Sequence, residues 1–432
     1  MEIIKKIENK TAIIGVVGLG YVGLPMAVTV ARQGYRVIGV DVSKHAVNHV
    51  NAGINYIGDV DDDELKDLVN KGLLSATFDY GFMKQADVIM IAVPTPLDKF
   101  QQPDSSYVRA AVASLSENVS PDTLVILEST TYPGTTAEIV APAFESKGYK
   151  IGQDIFIAFS PERVDPGNKS YKTHNTPKVV GGMTENCNQI AQAFYNSVLD
   201  APVHLVSSPA VAEMEKIYEN TFRNINIALA NEMTILCERM GLSIWEVIEA
   251  AKTKPYGFMA FYPGPGIGGH CIPLDPFYLT WKARGFGYHT RLIELAGEIN
   301  KSMPSFVINK ISNILNDRGV AISQTRILLL GAAYKKDIED MRESPIQDLI
   351  VILEKKKVDF AYHDPYVTSF HNELNDKHYE SVSLDHLEDY DVVIIVTDHS
   401  SFDYQNILKR AKMVFDTRNA CKDLQADNLF RM

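Results

Sequence analysis

The sequence predicts an α/β protein, with two doubly wound domains joined by a central segment of long helices. Three observations carry that expectation. Short β-branched runs alternate with amphipathic stretches over the first part of the chain, the middle is helical, and the last part returns to alternation. At 432 residues the chain is too long for one ordinary core. The composition shifts divide it at 1–205, 206–316 and 317–432.

In the first domain, strands are expected at Ala12–Val17, Arg36–Val40, Asp87–Val93, Thr123–Leu127, Ile155–Phe159 and Lys178–Val180, with helices such as Pro25–Gln33 and Ser105–Ser116 between them. In the middle, Pro209–Met240 reads as one helix, with Ser208 as N-cap, Pro209 in the first turn and Gly241 as the stop. A shorter helix follows at Ile244–Lys252, then a Gly/Pro-dense loop from Tyr262 to Pro276, then a helix over Thr290–Asn316. The last domain places strands at Arg326–Leu330, Val358–Tyr362, Val392–Val396 and Met413–Asp416.

The composition is 46% hydrophobic and 22% charged, as in a soluble globular protein. No apolar run reaches membrane-spanning length, and the charged start Met1–Lys10 lacks a signal-peptide core. A cytoplasmic location with no membrane partner is the expectation. The net charge of −12 argues against a nucleic-acid partner, which would want a basic face. Small anions need only a few local cations or a helix N-terminus. The four cysteines show no metal-ligand spacing, so no metal is expected. Cys187, Cys237 and Cys421 lie in helical or surface-like contexts and read as inert.

Residues 13–23 read IIGVVGLGYVG, an apolar strand running into Gly18-Leu19-Gly20-Tyr21-Val22-Gly23 before a helix. Glycines there let the chain turn sharply and let backbone N–H groups approach a pyrophosphate. Asp41 closes the second strand, where a carboxylate accepts from ribose hydroxyls and repels a 2′-phosphate, which favours NAD over NADP. The context makes this a Rossmann-like dinucleotide site. Polar or kinked residues also follow later strands: Pro94-Thr95-Pro96, Glu128-Ser129-Thr130-Thr131 and Ser160-Pro161-Glu162. Strand carboxyl ends line the ligand crevice in such sheets.

Residues 264–276 read GPGIGGHCIPLDP, which sets Cys271 among backbone donors instead of on an apolar face. Asp275 follows four residues later. On the long helix Lys216 and Asn220 share a face. A lysine and an amide there could stabilise an oxyanion, although with Glu213 and Glu219 beside them the face also reads as a solvated charged surface. The pair alone equally suits a two-electron β-hydroxyacid dehydrogenase. Lys335, Lys336 and Arg342 follow a strand, and Arg418 follows the last one, as anion-binding candidates.

Together these motifs resemble the UDP-sugar 6-dehydrogenase family, from GVVGLGYVGLP through ESTTYPGTT, FSPERVDPG, EKIYENTFRNINIALANE and GGHCIPLDP to KKDIEDMRESP. The family includes UDP-glucose dehydrogenase and the UDP-N-acetylhexosamine dehydrogenases. The resemblance implies NAD in the N-terminal Rossmann-like domain, contacted by Gly18, Gly20, Tyr21, Val22, Gly23, Asp41, Pro94, Thr95, Thr130 and Arg342. It implies a UDP-sugar against Glu162, Arg163, Lys216, Asn220, Tyr262, Gly268, Lys335 and Arg418. It further implies a two-step oxidation at C6 through a thiohemiacetal and thioester on Cys271. Lys216 and Asn220 would stabilise oxyanions, and Asp275, Thr131 and Glu162 would position or activate water. A homodimer or higher homo-oligomer is expected, and a role in capsule or O-antigen synthesis. Glucose-type members read GGSCFPKD around the cysteine. Here His270 and Leu274 replace the serine and lysine, and the stretch resembles the N-acetylhexosamine branch, with UDP-N-acetylglucosamine the first choice and UDP-N-acetylgalactosamine and UDP-N-acetylmannosamine open.

Overall fold

A computed structural model describes residues 1–58, 60–98, 101–165, 168 and 170–432. Pro166 and Gly167 of the FSPERVDPG run lie outside the described residues. The chain forms two compact units, one of Met1–Glu219 with Phe277–Tyr288, the other of Asn220–Pro276 with His289–Met432. The division falls inside the long helix.

The first unit is built on an eight-stranded sheet: β1 (Ile13–Val17), β2 (Arg36–Val40), β3 (Leu74–Thr77), β4 (Val88–Ile91), β5 (Thr123–Leu127), β6 (Ile155–Phe159), β7 (Lys178–Gly182) and β8 (Val203–Val206). Their order is β3-β2-β1-β4-β5-β6-β7-β8. β5 and β6 are buried along their whole length, which is why they read as continuous apolar runs and not as alternation. The six expected strands are present. β3 and β8 went unread: LSAT carries one large apolar residue, and β8 is a partly exposed edge. The sheet is also not wholly parallel, because β7 runs antiparallel to β6. The order reverses between β1 and β4, and the glycine motif follows β1 at that switch point. The next helix starts at Gly23, inside the motif, two residues before the expected Pro25.

The second unit carries a five-stranded parallel sheet. In chain order its strands are β9 (Arg326–Leu330), β10 (Asp359–His363), an antiparallel hairpin of β11 (Ser369–Asn372) and β12 (Lys377–Glu380) outside the sheet, β13 (Val392–Ile395), β14 (Val414–Asp416) and β15 (Leu429–Arg431). The hairpin and β15 were not expected from the sequence, since their side chains are mostly polar or half-exposed. Met303, Val307 and Ile311 of the helix Arg291–Asp317 pack in one core with Ile327, Leu329, Ile394 and Phe415.

Pro209–Met240 is one helix. The Ser208 hydroxyl accepts from the Val211 N–H at 3.4 Å, and Gly241 ends the helix at φ +68°. The expected loop to Pro276 is shorter, because Asp275 opens a helix, Asp275–Arg284. Pro276 falls in its first turn, where a missing N–H costs nothing, and an acid there favours the helix dipole. Cys421, read as surface-like, is buried, and burial beside Asp416 pushes its thiol up to about 12. Among the described residues no helix is long and apolar enough to cross a membrane.

Candidate active site

In the first unit the glycine motif has three distinct geometries. A Cβ on Gly18, at φ +91°, would lie 2.4 Å from the Ala92 carbonyl oxygen, and one on Gly23 would lie 1.8 Å from the Gly18 oxygen. These two glycines serve the turn and the close approach of helix to strand. Around Gly20 an added Cβ would meet nothing within 4 Å, so this side of the turn is open for a ligand to approach the backbone. Asp41 is already part of the turn: its carboxylate accepts from the Leu19 N–H at 2.7 Å and the Ser43 N–H at 2.7 Å. Tyr56 donates to the Leu19 carbonyl at 2.7 Å. Tyr21 is exposed and Val22 half-buried beside it. The turn and its acid fit an adenine dinucleotide with a free 2′-hydroxyl.

The ends of β4, β5 and β6 carry the other expected residues of this unit. Thr95 is buried, and its carbonyl accepts from the Tyr278 hydroxyl, while Thr130 is half-buried and Pro94 is exposed. Thr131 is 4% exposed and its hydroxyl has no hydrogen-bond partner among the described residues. Leaving a buried hydroxyl unpaired costs about 1–3 kcal/mol, so it marks a place where a ligand or water is expected.

Glu162 accepts from the backbone N–H groups of Arg163 and Val164 at 2.7 and 2.8 Å. The Lys178 ammonium sits between Glu162, at 3.4 Å, and Glu128, at 3.3 Å. Burial opposes the Glu162 charge, yet Lys178, the two N–H groups and Lys216 together hold its carboxyl below the ordinary value. Burial pushes the Glu128 carboxyl up. Lys178 was not singled out from the sequence, because it opens a strand and its partners are distant in the chain.

Lys216 is 8% exposed and makes no hydrogen bond among the described residues of this unit, although its charge acts on Glu162, Glu215 and Glu219. Glu213 and Glu219 are not a solvated face. Glu213 is fully buried and accepts from the N–H groups of Gly134 and Thr136 at 2.5 and 2.8 Å, capping the turn at the end of ESTTYPGTT. Glu219 pairs with Arg163, which also reaches Glu215 at 3.4 Å and donates to the Pro177 carbonyl at 3.0 Å. The expected substrate contact Arg163 is thus committed to protein partners. Burial and the neighbouring Glu219 push the Glu215 carboxyl up to about 7.

In the second unit Cys271 is half-buried, with Sγ 3.7 Å from His270 Nδ1. The Leu274 and Asp275 N–H groups donate to the Cys271 carbonyl at 3.2 and 2.9 Å, which folds the loop back on itself. Asp275 is buried and accepts from Asn220 Nδ2 at 2.6 Å. Gly268 and Gly269 of the loop lie on the segment after β9, and Gly264 lies against Arg418 after β14. A Cβ on Gly268 would meet the Tyr334 Cβ at 2.5 Å, and one on Gly264 would meet Arg418 Nη1 at 2.4 Å. The Gly269 N–H donates to the Arg342 carbonyl at 2.9 Å. Gly268 therefore serves close packing.

The expected anion-binding cations are also in this unit. Arg418 donates to the Val396 carbonyl at 2.8 Å, and burial lowers its pKa against the pull of Asp398 and Asp416. Lys335 is half-buried after β9. The loop carrying it is latched by His399: the Asp337 N–H donates to His399 Nδ1 at 2.9 Å, and Nε2 faces Asp364 at 2.9 Å. Arg342 holds the Asp340 carboxylate at 2.6 Å. Tyr262 donates to Glu249 at 2.7 Å and stacks on Trp245.

Three consecutive segments match the UDP-glucose/GDP-mannose dehydrogenase family: its NAD-binding domain over residues 12–199, its central domain over 210–302 and its UDP-binding domain over 328–423. A UDP-N-acetyl-D-glucosamine 6-dehydrogenase of Pseudomonas aeruginosa is 35% identical over 390 residues, covering 90% of this chain and 91% of that protein. A UDP-N-acetyl-D-mannosamine dehydrogenase of Pyrococcus horikoshii is 35% identical over 425 residues, covering 97% and 98%. The solved structure of a UDP-D-ManNAc dehydrogenase from Pyrococcus horikoshii superposes with a TM-score of 0.89 at 33% identity, over 97% of this chain and 98% of that one. With all three domains matched in order and relatives aligned over nearly the whole length, the chain belongs to the UDP-glucose/GDP-mannose dehydrogenase family and is an NAD-dependent nucleotide-sugar dehydrogenase.

Proposed function

We propose that this enzyme oxidises the C6 alcohol of a UDP-N-acetylhexosamine to the uronate, with UDP-N-acetylglucosamine as substrate. The observation that carries the reaction is Cys271 in a backbone-built loop closed on the buried Asn220–Asp275 pair. The choice of sugar rests on the approach TKPYGFMAFYPGPG and on His270 and Leu274 around Cys271. The two relatives above share the same 35% identity with this chain and carry names of different epimers.

Gly18–Gly23 and Asp41 would hold NAD, which would supply the hydride acceptor for the two oxidations. The protein's own groups do the rest. Lys216, buried and without a hydrogen bond among the described residues, stabilises oxyanion character at C6 in each oxidation. Cys271 Sγ adds to the aldehyde carbon, its proton departs, and the carbonyl oxygen gains one, giving a thiohemiacetal. Loss of a hydride and a proton leaves a thioester. Water then adds, the C–S bond breaks, sulfur regains a proton, and the uronate leaves. Glu162, held as a carboxylate by Lys178 and backbone N–H groups, and the Thr131 hydroxyl, unpaired among the described residues, suit water activation and positioning. Lys335 and Arg418 suit the UDP phosphates, and the product serves surface-polysaccharide synthesis.

The test is NADH formed per sugar, using UDP-glucose and the UDP-linked N-acetylated gluco, galacto and manno sugars. Two NADH per molecule of UDP-N-acetylglucosamine is the expected result. Two on another of the four keeps the mechanism and overturns the substrate. One NADH returns the simple β-hydroxyacid type of reaction.

We further propose a homodimer. In the second unit Phe222, Leu229 and Leu236 are spaced by seven on the long helix and exposed at 41%, 53% and 46%. A seven-residue apolar stripe suits a facing helix. Light scattering is expected to give the mass of two chains or a multiple of it, and Leu229→Asp to shift it toward one. A monomeric wild type would overturn the assignment.

A further inference from the structure

The loop that presents Cys271 has little side-chain packing of its own. Gly266 and Gly269 sit at φ +140° and +90°, and glycines fill four of its first six positions, Gly264 to Gly269. What fixes such a segment must act on its backbone.

A row of buried asparagines does so. On the long helix Asn220, Asn224 and Asn231 stand at i, i+4 and i+11, which is one face. Asn231 Oδ1 accepts the Gly264 N–H at 3.0 Å, where the loop begins. Asn224 Nδ2 donates to the carbonyl of Ile272, the residue after Cys271, at 3.0 Å. Asn220 closes the far end on Asp275. Asn300, from the helix Arg291–Asp317, joins the row. Its Oδ1 accepts from Asn231 at 2.9 Å, and its Nδ2 donates to the Asn224 carbonyl oxygen at 3.2 Å and side-chain oxygen at 3.4 Å. All four asparagines are at most 5% exposed.

Buried amides between helices are an expensive way to pack them. Each loses about 1–3 kcal/mol if its partner is removed, whereas apolar side chains carry no such risk. The loop groups this row reaches, Gly264, Ile272 and Asp275, bracket Cys271 on both sides. We propose that Asn224, Asn231 and Asn300 are positioning residues that set the place of the Cys271 thiol through the loop backbone. The proposal rests on Cys271 being the nucleophile of the second oxidation. A displacement of about 1 Å at a reacting atom costs on the order of 10²-fold in rate, so loosening the row is expected to act on thiol chemistry first.

The experiment uses Asn300→Leu, which removes the joint, and Asn224→Ala, which releases the Ile272 carbonyl and the 3.4 Å contact from Asn300, keeps the Asn231–Asn300 bond, and keeps the test open if the first variant folds poorly. Three readouts are compared in the full-length enzyme: oxidation of the UDP-sugar 6-aldehyde supplied directly, formation of the first NADH from the alcohol, and the rate at which iodoacetamide alkylates Cys271, followed on its peptide by mass spectrometry. Aldehyde oxidation is expected to fall about 10- to 100-fold, clearly more than the first NADH step, with the alkylation rate changed about fivefold or more. Wild-type rates of aldehyde oxidation and alkylation in both variants would overturn the proposal, as would an equal fall in both oxidations with unchanged alkylation. Alkylation needs no substrate. If it shifts as expected while the wild-type enzyme fails to oxidise the aldehyde, positioning of the thiol stands and the assigned chemistry falls.

Discussion

Cys271→Ser is expected to abolish net turnover, by about 10³-fold or more, while NAD binding stays at the wild-type level. The second oxidation needs a carbon that carries both a hydride to lose and an oxygen to keep. In the proposed mechanism the thiohemiacetal supplies that carbon and holds the aldehyde in place, and a serine hydroxyl at the same position is a far weaker nucleophile. The first hydride transfer does not use sulfur, so a burst of at most one NADH per site is expected before the reaction stops. Burst amplitude by stopped-flow absorbance and NAD affinity by calorimetry make the measurement. Steady-state oxidation near the wild-type rate would rule out the covalent route. Because Cys271 is half-buried in a loop set by backbone contacts, the substitution is not expected to lower the melting temperature by more than a degree or two.

Lys216→Met is expected to lower kcat about 10²- to 10³-fold, as removal of one oxyanion donor does elsewhere. The methionine keeps the stem volume and removes the charge. A second effect separates loss of the donor from general disruption. Lys216 is one of the groups that keep the Glu162 carboxyl below its ordinary value, so its removal raises the Glu162 pKa. If the Glu162 carboxylate is the base that activates water, the acid limb of the pH–rate profile must then move to higher pH, with activity lost earlier as pH falls. A variant with unchanged kcat would contradict the assigned role. One with reduced kcat but an unmoved acid limb would detach Glu162 from the rate-limiting step.

The candidate site was legible in the sequence to different depths. The glycine turn was fully legible, since Gly18, Gly20, Gly23 and Asp41 are local signals of a local geometry. Cys271 was legible because a cysteine in a glycine-rich loop is out of place as a core residue. Partnerships between distant residues were not. Lys178 lies between Glu128 and Glu162, fifty and sixteen residues away in sequence, and only the pairing of strands brings them together. The asparagine spacing on the long helix was visible as a pattern, but its meaning needed Asn300 from another helix. Glu213 and Glu219, compatible with a solvated face, proved to be a buried cap and an ion-pair partner, because a helix face shows charge in sequence but not what packs over it. Antiparallel β7 was hidden for the same reason: KVVGG reads alike in either direction.

What the sequence determined by itself was the class of fold, the dinucleotide turn and its preference for a free ribose 2′-hydroxyl, and the setting of one cysteine in a glycine-rich loop. These depend on backbone freedom and on residues a few positions apart. Only the tertiary structure decided which buried charges are compensated and what holds the cysteine loop. Burial cost and hydrogen-bond satisfaction belong to atoms that meet in space, and no single stretch of chain contains both partners.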